Sequence, residues 1–178
     1  NVTQTDYTTD STASVSQNGS NNSMTVFQEH AYTSNVTVSQ DGTGNMGSVN
    51  QEHVDNSAAS ISATGNDNST VIRQFGFGWH EPASATITTT GNSNNVNINQ
   101  DTSFEAMATV EQNGDSNIVD IDQVNESDNS VITVKQLNAS VSGNVTAQQN
   151  AAADSSITVE QSGVSGTFTT VNQLNGSE

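Results

Sequence analysis

The 178 residues carry a formal charge of −17, with two basic side chains (Arg73 and Lys135) against 19 Asp and Glu, and only 30% of them are hydrophobic. Such a chain cannot neutralise a phosphate backbone, which excludes nucleic-acid binding, and the same sign disfavours anionic membrane surfaces. There is no cysteine, and no apolar run approaches the roughly 20 residues that span a bilayer, so disulfide, thiolate and membrane-inserting readings fall away as well.

Low hydrophobicity with high net charge is the composition of disordered chains. Spacing argues otherwise, from the first residues onward. After Asn1-Val2-Thr3-Gln4, which reads as a mature or trimmed start and as the tail of an incomplete unit (residues 1–4), alternate positions give Ser11-Ala13-Val15-Gln17 and then Asn22-Met24-Val26-Gln28. Period two with β-branched residues marks strands with one inward face; a helix would need spacings of three and four. The pattern returns as Ser34-Val36-Val38-Gln40 and Asn45-Gly47-Val49-Gln51, then Ser57-Ala59-Ile61-Ala63 and Asn68-Thr70-Ile72-Gln74. Next come Ala83-Ala85-Ile87-Thr89 and Asn94-Val96-Ile98-Gln100, followed by Ala106-Ala108-Val110-Gln112 and Asn117-Val119-Ile121-Gln123. Ser130-Ile132-Val134-Gln136 with Gly143-Val145-Ala147-Gln149, and Ser155-Ile157-Val159-Gln161 with Thr167-Thr169-Val171-Gln173, complete the series.

The units therefore run 5–28, 29–51, 52–74, 75–100, 101–123, 124–149 and 150–173, with a tail at 174–178, and the mean period is about 24 residues. Two residues after the first anchor of each unit stands Gly19, Gly42, Gly65, Gly91, Gly114 or Gly163, with Asn138 in the remaining unit. Gly and Asn tolerate positive φ, so the chain is expected to reverse at these positions. Short strands joined by tight arcs bury little alone, but stacked along an axis they share one thin core. The predicted fold is all-β: a single-domain β-solenoid of about seven strand–arc–strand units forming two parallel, cross-β-like sheets.

Glutamine ends twelve of the fourteen arms; Ala63 and Thr89 are the exceptions. Stacked coils place equivalent residues about 4.8 Å apart. At that spacing the amide of each glutamine can donate to the next and accept from the one before, as in cross-β ladders. Gln17, Gln40, Gln112, Gln136 and Gln161 on one side, and Gln28, Gln51, Gln74, Gln100, Gln123, Gln149 and Gln173 on the other, are the expected stacking residues. Asn22, Asn45, Asn68, Asn94 and Asn117 are expected to stack likewise.

These residues resemble the curlin repeat, S-x5-Q-x-G-x2-N-x-A-x-V-x-Q. It is matched at Ser11, Gln17, Gly19, Asn22, Met24, Val26 and Gln28, at Ser34, Gln40, Gly42, Asn45, Val49 and Gln51, and more loosely through Gln173. The resemblance implies a secreted subunit of curli-type functional amyloid in a bacterial biofilm matrix, an extracellular cell-surface fibre. It further implies export through a dedicated outer-membrane pore and nucleation by a related minor subunit. Most units run slightly longer than the family's, and the opening residues do not read as the Gly/Asn-rich leader that curlin-like subunits use for export.

Neither end of the chain reads as a polar cap, so head-to-tail self-association into a homopolymer is expected. The outward positions offer less. Ser14, Thr37, Ser60, Thr86, Thr109, Thr133 and Thr158 form a hydroxyl column suited to an exposed sheet; an ice-binding array is the sharper reading, but only Thr86 and Thr88 make a T-x-T pair there. Glu111, Lys135 and Glu160 alternate in sign from unit to unit, which supports the register. Glu29-His30, Glu52-His53 and His80-Glu81 read as solvated arc residues rather than metal ligands, and Asp120 and Asp122 as an exposed face. The segment Phe75 to Pro82 holds the single Trp and the single Pro and reads as a protruding arc. A monomeric or surface-tethered solenoid that binds carbohydrate or another ligand through it is the alternative function. No nucleophile–base pair, phosphate loop or metal set is present, so neither catalysis nor a cofactor is expected.

Overall fold

The computed structural model describes residues 1–76, 82–163 and 165–174, the side chains of 138–140 excepted. Fifteen strands wind the chain into a β-solenoid: β1 Val2–Thr5, β2 Thr12–Ser20, β3 Ser23–Glu29, β4 Asn35–Thr43, β5 Met46–Glu52, β6 Ala58–Asn66, β7 Ser69–Phe75, β8 Ser84–Thr90, β9 Asn95–Asp101, β10 Met107–Asp115, β11 Ile118–Val124, β12 Val131–Val141, β13 Asn144–Asn150, β14 Ser156–Ser162 and β15 Phe168–Leu174. The odd-numbered strands form one eight-stranded sheet in chain order and the even-numbered strands one seven-stranded sheet. Every pairing is parallel.

Two-residue periodicity sets the register. Val26, Val49, Ile72, Ile98 and Ile121 stack in one inward row, each with no exposed surface. Val38, Ile61, Ile87, Val110 and Val134 stack in the facing sheet. Slipping a strand by one residue would turn such a row to solvent, at about 1.5–3 kcal/mol per exposed Val or Ile. The core is two short files of apolar side chains from each sheet, as with Val36 and Val38 or Val96 and Ile98, and a composition of 30% hydrophobic residues is enough to fill it.

The glycines do something other than expected. Gly19, Gly42, Gly65 and Gly114 lie inside strands β2, β4, β6 and β10, and Gly91 just beyond β8, with φ of 102, 126, 117, 141 and 122°. The left-handed reversal falls two residues further on, at Asn21, Gly44, Asp67, Ser93 and Ser116, and in the unit of Asn138, expected to reverse there, it falls at Ser142 instead. Glycine is required by the neighbouring coil: a Cβ on Gly19 would stand 2.0 Å from the carbonyl oxygen of Gly42, one on Gly42 1.9 Å from that of Gly65, and one on Gly65 2.0 Å from that of Gly91. Of the six glycines expected at reversals, Gly163 alone behaves as a turn residue, with φ 62° and nothing within 4 Å of where a Cβ would stand.

Among the described residues the second arcs use left-handed residues three apart, such as His30 and Thr33, His53 and Asn56, Thr102 and Glu105, and Ala151 and Asp154. Asn, Asp and His tolerate this conformation better than most side chains, but Thr and Ala do not share that advantage. In the long unit ending at Gln149, extra residues bulge out of β12: Gln112 pairs with Gln136, but Gly114 pairs with Ser140.

Gly42→Ala is expected to lower unfolding stability by about 3 kcal/mol or more, from backbone strain and the clash combined. Gly163→Ala should cost only about 1 kcal/mol. Urea midpoints of the two variants check this; equal losses would mean that close backbone stacking is not what demands glycine.

Candidate functional site: the amide columns and the free sheet edges

The longest chemical feature is a file of glutamines along the eight-stranded sheet. Nε2 of Gln4 donates to Oε1 of Gln28 (2.7 Å), Gln28 to Gln51 (2.8 Å), Gln51 to Gln74 (2.8 Å) and Gln74 to Gln100 (2.9 Å). Gln100 then donates to Gln123 (2.9 Å), Gln123 to Gln149 (3.0 Å) and Gln149 to Gln173 (2.9 Å). Rungs Gln28 to Gln149 are at most 1% exposed. Their second N–H hydrogens reach backbone carbonyls of the facing arm, for example Gln74 to Ala58 and Gln100 to Ser84 and Ala106. Every amide donates in the same direction along the axis. One end of the column therefore presents an acceptor, Oε1 of Gln4, and the other a donor, Nε2 of Gln173.

The second column, in the seven-stranded sheet, has the same polarity but is broken. Gln17 donates to Gln40 (2.6 Å), Gln112 to Gln136 (2.9 Å) and Gln136 to Gln161 (2.9 Å). Between the two halves stand Ala63 and Thr89. The buried atoms facing them, Nε2 of Gln40 and Oε1 of Gln112, have no protein partner among the described residues, and neither has Oγ1 of Thr89.

The asparagines stack differently from simple amide rungs. Oδ1 of Asn22, Asn45, Asn68, Asn94 and Asn117 accepts the backbone N–H of Asn45, Asn68, Asn94, Asn117 and Gly143 respectively, one coil on. Nδ2 of Asn22, Asn45, Asn68 and Asn94 donates to the carbonyls of Gly42, Gly65, Gly91 and Gly114 in the following coil. The fixed Gly-x2-Asn spacing is thus one device, in which an unusual glycine φ brings its carbonyl within reach of the asparagine below. That spacing is the signal in the sequence from which the device could be found. Ser11, Ser34 and Ser57 form a further column, whose hydroxyl oxygens accept the backbone N–H of Ser34, Ser57 and Ala83.

On the outer surface the hydroxyl column from Ser14 to Thr158 lies in register across the seven-stranded sheet. Lys135 lies 3.8 Å from Glu111 and in register with Glu160. Asp120 and Asp122 point outward and accept from Nδ2 of Asn97 (2.7 Å) and Asn99 (3.3 Å). Partial burial pushes the Asp122 carboxyl above the ordinary carboxylate range, the Asn99 hydrogen bond opposes this, and the Asp120 charge adds to it. His30 and His53 stack at 4.7 Å with Tyr7 beyond His30, but among the described residues no three metal-ligating side chains converge. Phe77 to Glu81, with Trp79 and His80, lie outside the described residues, and with them most of the arc through which the alternative, ligand-binding function would act.

Among the described residues the sheets stop at an edge at both ends of the solenoid. Strands β1 and β2 bound one end and β14 and β15 the other. Core side chains are only partly covered there: Ala13, Val15 and Val171 are half-buried. No protein-family model matches the chain, and no curated protein sequence matches it.

Gln74→Leu removes one rung and leaves the donor of Gln51 and the acceptor of Gln100 unpaired in the core. A loss of about 3 kcal/mol is expected by urea denaturation; a change near zero would mean the ladder contributes nothing net. For Asp122 the linkage runs the other way from a salt-bridged carboxylate. Its folded-state proton affinity exceeds that of the unfolded chain, so ionisation weakens folding as pH rises through and above the ordinary carboxylate range. Asp122→Asn should be more stable than the parent at about pH 7, with the difference vanishing at about pH 3; an equal advantage at both values would refute the linkage.

Proposed function

We propose that the chain is a secreted structural subunit that polymerises head to tail into a curli-like amyloid fibre serving a biofilm matrix and adhesion. The observation that carries this reading is that open sheet edges coincide with open-ended amide columns of one polarity, which present acceptors at one end and donors at the other. An exposed strand edge is a template for another strand, and an edge at each end of one molecule gives heterologous contacts that do not close. Two seatings continue the columns. In one, β15 lies over β1 of the next copy and Gln173 donates to Gln4. In the other, β1 lifts away, β15 lies over β3 and β14 over β2, so that Gln173 meets Gln28 and Gln161 meets Gln17; this seating joins both sheets at once.

Charge is compatible with axial growth. The Asp and Glu side chains keep the flanks mutually repulsive, which restrains lateral clumping while leaving the ends free to pair. The resemblance of the repeat to curlins adds a nucleating subunit and an export pore to the proposed partners.

Incubated protein is expected to form unbranched, thioflavin-positive fibres with a meridional spacing of about 4.8 Å. A protein that stays monomeric across concentration and time would sink the proposal. A sharper variant is Asn172→Pro. Backbone N–H groups of outward-facing residues in this sheet, such as that of Asn144, point to the following coil, and Asn172 shares that parity, so the proline removes a donor facing the free edge and none facing β13. The variant should fold as the parent does and elongate at least about tenfold more slowly; unchanged elongation would show that this edge is not the growing surface.

A further inference from the structure

We infer that the interruption in the second glutamine column is a built hydration site, holding ordered water that carries the hydrogen-bond chain across two coils. Gln40, Ala63, Thr89 and Gln112 are stacked in consecutive coils and each is only 1% exposed. Ala63 ends at Cβ and Thr89 one atom later, so the amide volume that fills the column elsewhere is missing from both positions. Axial collapse cannot close the space, because the coil spacing is set by continuous backbone pairing on either side.

The walls are polar where the missing amides would have been. The Nε2 hydrogens of Gln40 point in from one side, Oε1 of Gln112 lies at the other, and the Thr89 hydroxyl stands between them, all without a protein partner among the described residues. Across the core, Thr70 Oγ1 donates to the carbonyl of Met46 (3.4 Å) and keeps its own acceptor capacity. Gly47 lets these groups approach one another: Gln40 Nε2 and Thr70 Oγ1 lie 3.1 and 3.3 Å from the point its Cβ would occupy, and Met24 Sδ already stands 2.5 Å from that point, where a Cβ would clash.

Two absent amides leave room for about two waters, each needing two to four polar partners. The first, beside Ala63, accepts from Gln40 Nε2 and donates to Thr70 Oγ1 and Thr89 Oγ1. The second accepts from the Thr89 hydroxyl and donates to Gln112 Oε1. Donor and acceptor directions then run unbroken from Gln17 to Gln161, with the same sense as the protein rungs. The unpartnered groups are an amide N–H, a hydroxyl and an amide oxygen, all neutral, which suits a small neutral hydrogen-bonding guest. The inference concerns the single chain and stands whether or not the molecule polymerises.

A density map that resolves ordered solvent tests it directly. Peaks are expected within hydrogen-bonding distance of Gln40 Nε2, Thr89 Oγ1 and Gln112 Oε1; a dry gap, or Gln40 and Gln112 turned to protein partners, overturns it. In solution, water-oxygen magnetic relaxation dispersion should count about two fewer long-lived internal waters in Ala63→Gln/Thr89→Gln than in the parent. Should that double variant not fold, Thr89→Val keeps the shape and deletes the bridging hydroxyl, and it should likewise lower the count; an unchanged count in the folded variant overturns the site.

Discussion

A buried primary amide with no partner costs on the order of 1–3 kcal/mol, and this chain buries a glutamine in nearly every strand pair. What makes that tolerable is repetition. Each coil delivers an identical side chain one strand spacing from the last, and an amide is both donor and acceptor, so a single residue type satisfies itself indefinitely. The continuous column from Gln4 to Gln173 shows this in full. Everything else in the architecture, including the parallel sheets, the thin core and the even coil height, is the geometry that keeps those amides in register.

Such stacking has a second requirement, which falls on the backbone. At the first arc the carbonyl of one glycine sits where the Cβ of the glycine in the preceding coil would be. Asparagines then bind both the N–H and the glycine carbonyl of the next coil. Glutamine columns join coils by amide pairing with amide, supplemented by bonds to backbone carbonyls, whereas the Gly–Asn device ties side chain to main chain throughout and so fixes the height of the arc. The two devices fail in different places. The glutamine column is interrupted at Ala63 and Thr89, in the middle of the molecule, while the asparagine column gives way to Gly143 and Thr167 towards its carboxyl-terminal end.

Directional pairing gives the molecule a polarity, and that polarity is what the proposed assembly uses. Donors accumulate at one end and acceptors at the other, beside strand edges and half-covered core residues. A fibre built this way would repeat between molecules the contacts already made within one. It would need no binding pocket and no chemistry, and dense acidic charge on its flanks would still let it grow lengthwise.

Much of this was written in the sequence. Alternation of inward Val and Ile, glutamine at the end of arms, and a period near 24 residues suffice to determine strands, parity and stacking, because each is a local pattern repeated many times. The columns of Gln28 to Gln173 follow from those alone. Other features depend on atoms brought together only by winding the chain. That Gly42 is needed for the carbonyl of Gly65 rather than for a turn, that Asn45 reaches that same carbonyl, and that Thr33 or Ala151 adopts a left-handed backbone cannot be read from residue preferences, which describe single positions. The same holds for the gap at Ala63 and Thr89. In sequence these are two exceptions to a rule; in the folded coil they leave three buried polar atoms around a shared space, since only the tertiary structure determines which atoms face one another across neighbouring coils.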